Sequence, residues 1–319
     1  MPARALWQVA PGVSELRACA VAPAPGQAVV EVLYSGISRG TERLVAQGRV
    51  PASEQARMRA PMQDGDFPFP VKYGYAAVGR VAAGPMAGQA VFALHPHQDR
   101  FACDPAALTP LPEGLDPARA VLAANMETAL TILWDSGAGP GDRVAVVGAG
   151  VVGALAGYLA ARLPGTQVTL IDTNPARAGL AAALGCRFAT PADAGEGWAD
   201  VVIHASANPV GLATAIALAG PEATVVEASW YGAGTVPVPL GGAFHSQRLR
   251  IVGSQVGRIP PARAPRWTYG RRMGVALSLL ADPALDALVS GETDFADLPA
   301  RYAAILDDPE TLCHRIRYT

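Results

Sequence analysis

Arg143-Val-Ala-Val-Val-Gly148-Ala-Gly150-Val-Val-Gly153 is the stretch that decides the fold of this 319-residue chain. A β-rich run ends here in glycines spaced G-x-G-x-x-G, and an alanine- and leucine-rich segment follows. A strand, a glycine turn and a helix in this order are typical of a dinucleotide-binding βαβ unit. The first glycine allows a tight turn, the second lets a pyrophosphate approach, and the third permits close helix–strand packing. The predicted loop and first helical turn comprise Gly148, Gly150, Val151, Val152 and Gly153.

An acidic residue ends the next strand. Asp172 follows the apolar run 167–171 and lies 19 residues after Gly153. A carboxylate there accepts hydrogen bonds from both ribose hydroxyls and repels a 2′-phosphate, which predicts NAD as the cofactor. The alternative is a helix N-cap, a role that Asn174 fills more naturally. Thr173 and Arg177 are predicted to lie on the adenosine side of the site. For Arg177, a solvated position on the surface is the alternative.

The pattern of predicted secondary structure changes near Pro117. Before it, short strands are predicted between turn residues, and the polar, proline-rich segment 49–72 is predicted to be a long loop over a pocket mouth. After it, strands and helices alternate, which predicts a parallel sheet with right-handed crossovers. The strands predicted for that sheet are 143–147, 167–171, 200–204, 223–227 and 250–254.

Composition limits the kinds of partner. With 25 Lys and Arg against 27 Asp and Glu, the chain offers no basic field for nucleic acid or an anionic membrane. The four cysteines lie far apart, which argues against a disulfide framework and a zinc knuckle. The start lacks the apolar core of a signal peptide. The uncharged stretch 144–161 is better explained by a strand and a helix than by a membrane span, so we expect a cytoplasmic protein.

Several local motifs carry a resemblance to a known family. They are Ser35-Gly-Ile-Ser38, Tyr73-Gly-Tyr-Ala-Ala-Val-Gly79, Met126-Glu-Thr-Ala129 and the Gly148 motif. With the β-rich start, these resemble the medium-chain dehydrogenase/reductase family, the zinc-type alcohol dehydrogenase-like group, over essentially the whole chain. The resemblance implies an α/β protein with a GroES-like domain at 1–120 and 256–319 and a Rossmann domain at 121–255. It also implies a homodimer, and a cleft between the domains that holds the nicotinamide.

The resemblance further implies roles for individual residues. Thr128 and Val152 would pack near the nicotinamide, and Arg315 would lie near the pyrophosphate. The substrate pocket would include Ser38 and Gln255. Backbone at three positions would bind the carboxamide: Ala205, Val226 and Ser254.

The chain departs from the family where zinc would bind. Zinc-containing members place cysteine at Ser38, histidine at Tyr75, and a carboxylate or cysteine at Ala124. A catalytic zinc needs three protein ligands of nitrogen, sulfur or carboxylate type, so we expect no metal. The lobe in which zinc-containing members carry four cysteines is missing from this chain as well. The segment Ser35–Glu42 is loosely similar to bacteriochlorophyllide hydroxyethyl dehydrogenases, but it is too short to assign a substrate.

Without zinc, another group must polarise the carbonyl. Tyr75 replaces a ligand directly, and His95 falls where the family lines its substrate pocket. A phenol or imidazole can donate a proton to a developing alkoxide, so both are predicted to be catalytic. The alternatives are that Tyr75 only fills the former metal site and that His95 and His97 build a turn around Pro96.

The leading hypothesis is therefore zinc-independent hydride transfer between NAD(H) and an alcohol or ketone, with a small-molecule substrate. Reduction of a conjugated C=C bond, as in quinone and enoyl reductases, is the alternative, although those enzymes usually prefer NADPH. A nucleotide-binding protein with a degenerate active site is the third possibility.

Overall fold

The computed structural model describes residues 1–319, which form two compact units. Unit 1 comprises Met1–Ala124 and Met273–Thr319, and unit 2 comprises Asn125–Arg272. Residues 256–272, which the sequence assigns to the first domain, therefore belong to unit 2. Arg272 shows the physical reason, since its buried guanidinium donates to Glu127 at 2.9 Å and to the Val256 carbonyl at 2.7 Å.

The strands are numbered in chain order, and their bounds are β1 Pro2–Ala10, β2 Val13–Ala20, β3 Ala28–Ser38, β4 Asp64–Gly65, β5 Val71–Lys72, β6 Ala77–Ala83, β7 Ala90–Ala93, β8 Arg100–Cys103, β9 Leu108–Pro110, β10 Arg143–Val147, β11 Gln167–Ile171, β12 Arg187–Ala189, β13 Ala199–His204, β14 Ala219–Glu227, β15 Arg250–Gly253, β16 Val289–Asp294 and β17 Cys313–Arg317. The α-helices are α1 Arg39–Ala46, α2 Ala123–Ser136, α3 Val151–Ala160, α4 Arg177–Ala183, α5 Pro209–Leu218, α6 Tyr269–Leu279 and α7 Leu298–Asp307. No helix is both long and apolar enough to cross a bilayer.

Unit 2 is built on a six-stranded sheet in the order β12-β11-β10-β13-β14-β15, with every neighbouring pair parallel. This is the 3-2-1-4-5-6 order of the Rossmann fold, which confirms the prediction for this part of the chain. The central strands are continuous apolar runs because helices cover both faces of such a sheet. Ala145 and Val202 of the sheet pack with Leu212 and Ile216 of α5 in its core. Asn208 caps α5, its side chain accepting the Val210 N–H at 2.9 Å.

Unit 1 is β-rich. Its larger sheet has the order β16-β17-β3-β6-β7-β9, with β8 also paired to β3. The smaller sheet has the order β2-β1-β5-β4. One core packs Val30, Val81 and Phe101 between strands, and a second packs Ile37 with Tyr302 of α7. The mixture of a β-rich unit and a parallel α/β unit agrees with the predicted fold class.

Two features of unit 1 differ from the sequence-based expectation. Short strands are predicted throughout the part before Pro117, but the sequence does not single out the hairpin β1–β2. The segment 49–72 is not a structureless loop. It carries a short 3₁₀ turn at Ala52–Glu54 and adds β4 and β5 to the smaller sheet, where Val71 pairs with Gln8.

Candidate cofactor-binding and active-site residues

The glycine loop has the geometry that the sequence predicts. Gly148 adopts φ +102°, and a Cβ on it would lie 2.7 Å from the Ser206 backbone nitrogen. A Cβ on Gly153 would overlap the Gly148 carbonyl oxygen, so α3 and the loop touch through backbone alone. Gly150, the N-cap residue of α3, faces open space with nothing within 4 Å of a Cβ. The loop thus leaves room at the start of α3, where first-turn N–H groups and the helix dipole favour a phosphate.

Asp172 lies directly beside this loop. Its carboxylate accepts the Ala149 N–H at 2.7 Å and the Asn174 N–H at 2.9 Å. Each oxygen keeps a lone pair, and the residue is partly exposed. Asn174 in turn accepts the Ala176 N–H at 3.0 Å. Capping, the alternative role for Asp172, is therefore shared between Asp172 and Asn174. A dinucleotide of the Rossmann type fits this loop, because the loop has space for phosphates at the start of α3 and a carboxylate beside it, where the sequence predicts the ribose.

Three further predicted cofactor residues stand at the carboxyl ends of adjacent parallel strands. Ala205 follows β13, Val226 lies near the end of β14, and Ser254 follows β15. Carboxyl ends of parallel strands share one edge, which is where open α/β sheets bind ligands. Hydrogen bonds tie this edge together: Ala205 N–H donates to the Val147 carbonyl, and Ser254 N–H to the Glu227 carbonyl.

A hydrogen-bonded cluster at the same edge was missed from the sequence. His204 Nδ1 lies 2.8 Å from a Glu227 carboxylate oxygen, and His204 Nε2 lies 2.7 Å from Ser206 Oγ. Tyr231 O–H donates to Glu227 at 3.1 Å, and Ser229 N–H donates to it at 2.8 Å. Burial alone would raise the pKa of Glu227, but His204 and the hydrogen bonds from Ser229 hold that pKa below its usual range. The signal was present, since His204 and Glu227 end two predicted neighbouring strands.

Tyr75, which the resemblance predicts at a zinc-ligand position, lies in unit 1. Its phenol hydrogen-bonds the hydroxyls of Ser38 and Thr41. Burial, with the nearby Glu42 carboxylate, raises the pKa of Tyr75 to about 12, while the two hydroxyl hydrogen bonds oppose this. Tyr75 is therefore a neutral phenol near neutral pH and can act as a hydrogen-bond donor. Ala124 and Ser38 are buried in the same unit.

Glu42 supports this site, and sequence reasoning gave it no role. Its fully buried carboxylate accepts the Ser38 N–H at 2.7 Å, the Tyr302 O–H at 2.6 Å and a hydrogen bond with His97 Nε2 at 2.9 Å. His97 Nδ1 continues to Ser35 Oγ at 2.8 Å. The network fixes the backbone that presents Ser38 to Tyr75. It joins residues far apart in the chain, which local patterns could not reveal.

The contacts of His95 are those of a buried residue that packs in the fold. Its ring stacks on Phe101 with centroids 3.8 Å apart, and Nδ1 hydrogen-bonds the Pro96 carbonyl at 2.8 Å. Burial lowers the pKa of His95 to about 3. A neutral imidazole that donates from Nδ1 has no hydrogen on Nε2, so this geometry argues against the predicted role as proton donor and favours the alternative of a turn around Pro96.

The remaining predicted residues are held by local contacts. Gln255 is exposed, and its side chain accepts the Gly257 N–H at 2.6 Å. Ser254 Oγ donates to Asp135 at 2.6 Å. Arg315 pairs with Glu292 and is about one quarter exposed. Thr128 and Val152 are partly exposed residues of unit 2, as is Arg177, and Thr173 is exposed.

No three His, Cys, Asp or Glu side chains come together in a way that could hold a metal ion. Ser38, Tyr75 and Ala124 offer one hydroxyl, one phenol and a methyl group, a donor set that does not suit zinc. The four cysteines form no disulfide.

No protein-family model matches the chain. Solved structures do. L-idonate 5-dehydrogenase from Escherichia coli K-12 is 15% identical with a TM-score of 0.82, covering 99% of this chain and 98% of its own. TarJ of S. aureus, in complex with NADPH, is 15% identical with a TM-score of 0.78, covering 100% of both chains. An E. coli CFT073 alcohol dehydrogenase complexed with NADH is 14% identical with a TM-score of 0.76, covering 99% of both. The chain therefore has the two-part dehydrogenase fold that the sequence resemblance implies.

Proposed function

We propose, on the premise of this shared dehydrogenase fold, that the chain is an NAD-dependent oxidoreductase that needs no zinc. Its reaction would be hydride transfer between NAD(H) and an alcohol or ketone. The observation that carries the proposal is the Gly148–Gly153 loop with Asp172 beside it. Alcohol and polyol-acid dehydrogenases among the structural neighbours support the substrate class.

The preference for NAD rests on Asp172. One structural neighbour is in complex with NADPH and another with NADH, so the fold alone does not determine which of the two cofactors is bound. A carboxylate at the end of β11 would accept hydrogen bonds from the ribose hydroxyls and repel a 2′-phosphate. The carboxylate of Asp172 is therefore the group on which the choice of cofactor rests, and we propose NAD(H).

Tyr75 is the proposed proton donor. When bound, NAD(H) supplies or takes up the hydride. A hydride that arrives at a carbonyl carbon leaves negative charge on oxygen, and an oriented O–H stabilises that charge more in the transition state than in the ground state. Ser38 and Thr41 orient the Tyr75 hydroxyl, and Glu42 fixes the segment that carries them. His95 is not included in this proposed machinery.

A substrate panel tests the reaction class. The purified protein, with chelator present, is mixed with NAD⁺ and secondary alcohols, with NADH and ketones, and with NADH or NADPH and conjugated enones, while NAD(P)H absorbance is followed. We expect turnover with alcohols and ketones. Turnover with enones alone would establish the C=C reductase alternative, and no turnover across all three classes would favour a nucleotide-binding protein.

We also propose a homodimer, following the family resemblance. Light scattering coupled to size-exclusion chromatography should give twice the chain mass of 32.8 kDa. A monomer mass at micromolar concentration would contradict it.

A further inference from the structure

Ser206, His204 and Glu227 form a relay that hydride transfer does not use. Ser206 Oγ lies 2.7 Å from His204 Nε2, and His204 Nδ1 lies 2.8 and 3.0 Å from the two Glu227 oxygens. A nucleophile bonded to a base, with the base oriented by a carboxylate, is the arrangement that activates serine in acyl-transfer enzymes. All three residues belong to unit 2 and stand at or just after the ends of β13 and β14.

The hydrogen bonds assign the direction of the relay. An ionised Glu227 can only accept, so His204 Nδ1 carries a hydrogen; in the neutral imidazole Nε2 is then the acceptor for the Ser206 hydroxyl. Tyr231 and Ser229 satisfy the remaining capacity of Glu227 and hold it in place. His204 is buried, whereas Ser206 is partly exposed and the next two residues are exposed. The base is thus shielded while the serine lies at the surface.

Helix α5 approaches this serine closely. A Cβ on Gly211, in the first turn of α5, would overlap Ser206 Oγ and lie 2.9 Å from His204 Nε2. Only glycine lets the helix backbone come this near. Pro209 has no N–H and the Val210 N–H is bonded to Asn208, so the Gly211 N–H and the positive end of the helix dipole are what this first turn offers to the negative charge that develops on the oxygen of an attacked carbonyl.

We propose that Ser206 is an activated nucleophile and that unit 2 carries a second, acyl-transfer site for small activated esters. Ser206 Oγ attacks the carbonyl carbon while its proton passes to His204 Nε2. The ester C–O bond breaks, and the alcohol leaves with that proton. Water then attacks the acyl-serine through the same base, which releases the carboxylic acid and restores the hydroxyl. No oxidant or reductant takes part.

Labelling of the full chain with an alkyl fluorophosphonate tests the proposal. Ser206 Oγ should form a bond to phosphorus as fluoride leaves, giving one adduct by intact mass and Ser206 by peptide mapping. Ser206→Ala should remove the adduct, and His204→Gln should slow labelling by about 10²-fold or more, since a general base contributes about 10²–10⁴-fold. Release of p-nitrophenol from p-nitrophenyl acetate should fall in parallel.

Two further variants serve as checks. Gly211→Ala keeps all three relay residues but displaces Ser206, so it should also lose labelling. Ser278→Ala removes an exposed serine whose hydroxyl bonds only the Gly274 carbonyl, and it should label like the wild type. Absence of an adduct on wild-type Ser206, or equal labelling rates in wild type and folded His204→Gln, would overturn the proposal. NADH binding by the same sample is measured separately, so failure of this proposal is distinguishable from failure of the proposed dehydrogenase.

Discussion

At the scale of single residues, Tyr75 is the group on which the proposed chemistry depends. Its pKa of about 12 keeps the phenol protonated, and Ser38 with Thr41 directs it. The family resemblance predicts Tyr75 at a metal-ligand position, with Ser38 and Ala124 at the other two. In the proposed reaction, the Tyr75 hydroxyl is therefore the hydrogen-bond donor to the substrate oxygen.

Replacing Tyr75 with phenylalanine removes the hydroxyl and little volume. We expect kcat to fall by about 10²–10³-fold while NADH affinity is unchanged, because one donor to the developing oxyanion is lost. Steady-state kinetics at saturating substrate measure this, with Tyr269→Phe, a mostly exposed tyrosine, as the matched control. A Tyr75→Phe enzyme within threefold of wild type would show that the tyrosine only fills the former metal site.

His95 should influence stability rather than turnover. Its pKa is lowered from 6.5 to about 3 in the folded chain, so the unfolded chain binds the proton more tightly. Stability from the neutral, buried ring is therefore present above pH 6.5 and is lost as pH falls from there towards 3. Melting temperatures across this range should fall less steeply in His95→Phe than in wild type. Identical slopes, or a change in the neutral pH profile of kcat in His95→Phe, would contradict this reading.

The residues of the cofactor loop could be predicted, and those of the buried networks could not. Gly148, Gly153 and Asp172 act through local backbone geometry, which sequence spacing encodes. The partners of His95 and Glu42 come from distant segments, such as Phe101 and Tyr302. The burial that lowers the pKa of His95 depends on such partners, so it appears only in the folded chain.

At the scale of elements, β10, the glycine loop and α3 form the most sequence-determined part of the molecule. The bounds of β10 and β11 match their prediction because both are apolar runs buried on two faces. The short strands β12 and β16 and the hairpin β1–β2 lacked such a pattern. Their existence depends on pairing with neighbours that the sequence does not identify.

Gly150→Ala separates binding from folding in this element. A Cβ there meets nothing within 4 Å, and φ is −71°, so the fold should be kept. The methyl group would occupy the space through which a pyrophosphate approaches, and NADH binding should weaken about tenfold or more. Fluorescence titration and thermal melting measure the two effects.

Gly179→Ala is the control, since this exposed glycine in α4 also has nothing within 4 Å. It should bind NADH normally and gain about 0.5–1 kcal/mol of stability from helix propensity. Unchanged NADH affinity in Gly150→Ala would remove the loop from the proposed site.

At the scale of the whole molecule, the chain combines a β-rich unit and a Rossmann unit, and the sequence anticipated both. The boundary near residue 272 was not predictable, because the ion pair of Arg272 with Glu127 that binds 256–272 to unit 2 links positions far apart in sequence.

We expect the purified protein to be independent of zinc. With Ser38, Tyr75 and Ala124 in the former ligand positions, we expect far less than one zinc per chain by elemental analysis. Thermal stability and turnover should be the same with and without a chelator. Close to one bound zinc per chain, removed by chelator with loss of activity, would contradict the account.

The central claim, an NAD(H) site governed by Asp172, is tested most directly by fluorescence titration of the whole chain with NADH and NADPH. We expect NADH to bind at least about tenfold more tightly than NADPH, because a 2′-phosphate would face the carboxylate. Asp172→Ala should weaken NADH binding and narrow the gap, whereas Glu196→Ala, an equal change of charge at an exposed site, should alter neither. Equal or tighter binding of NADPH by the wild type, or no binding of either nucleotide, would contradict it.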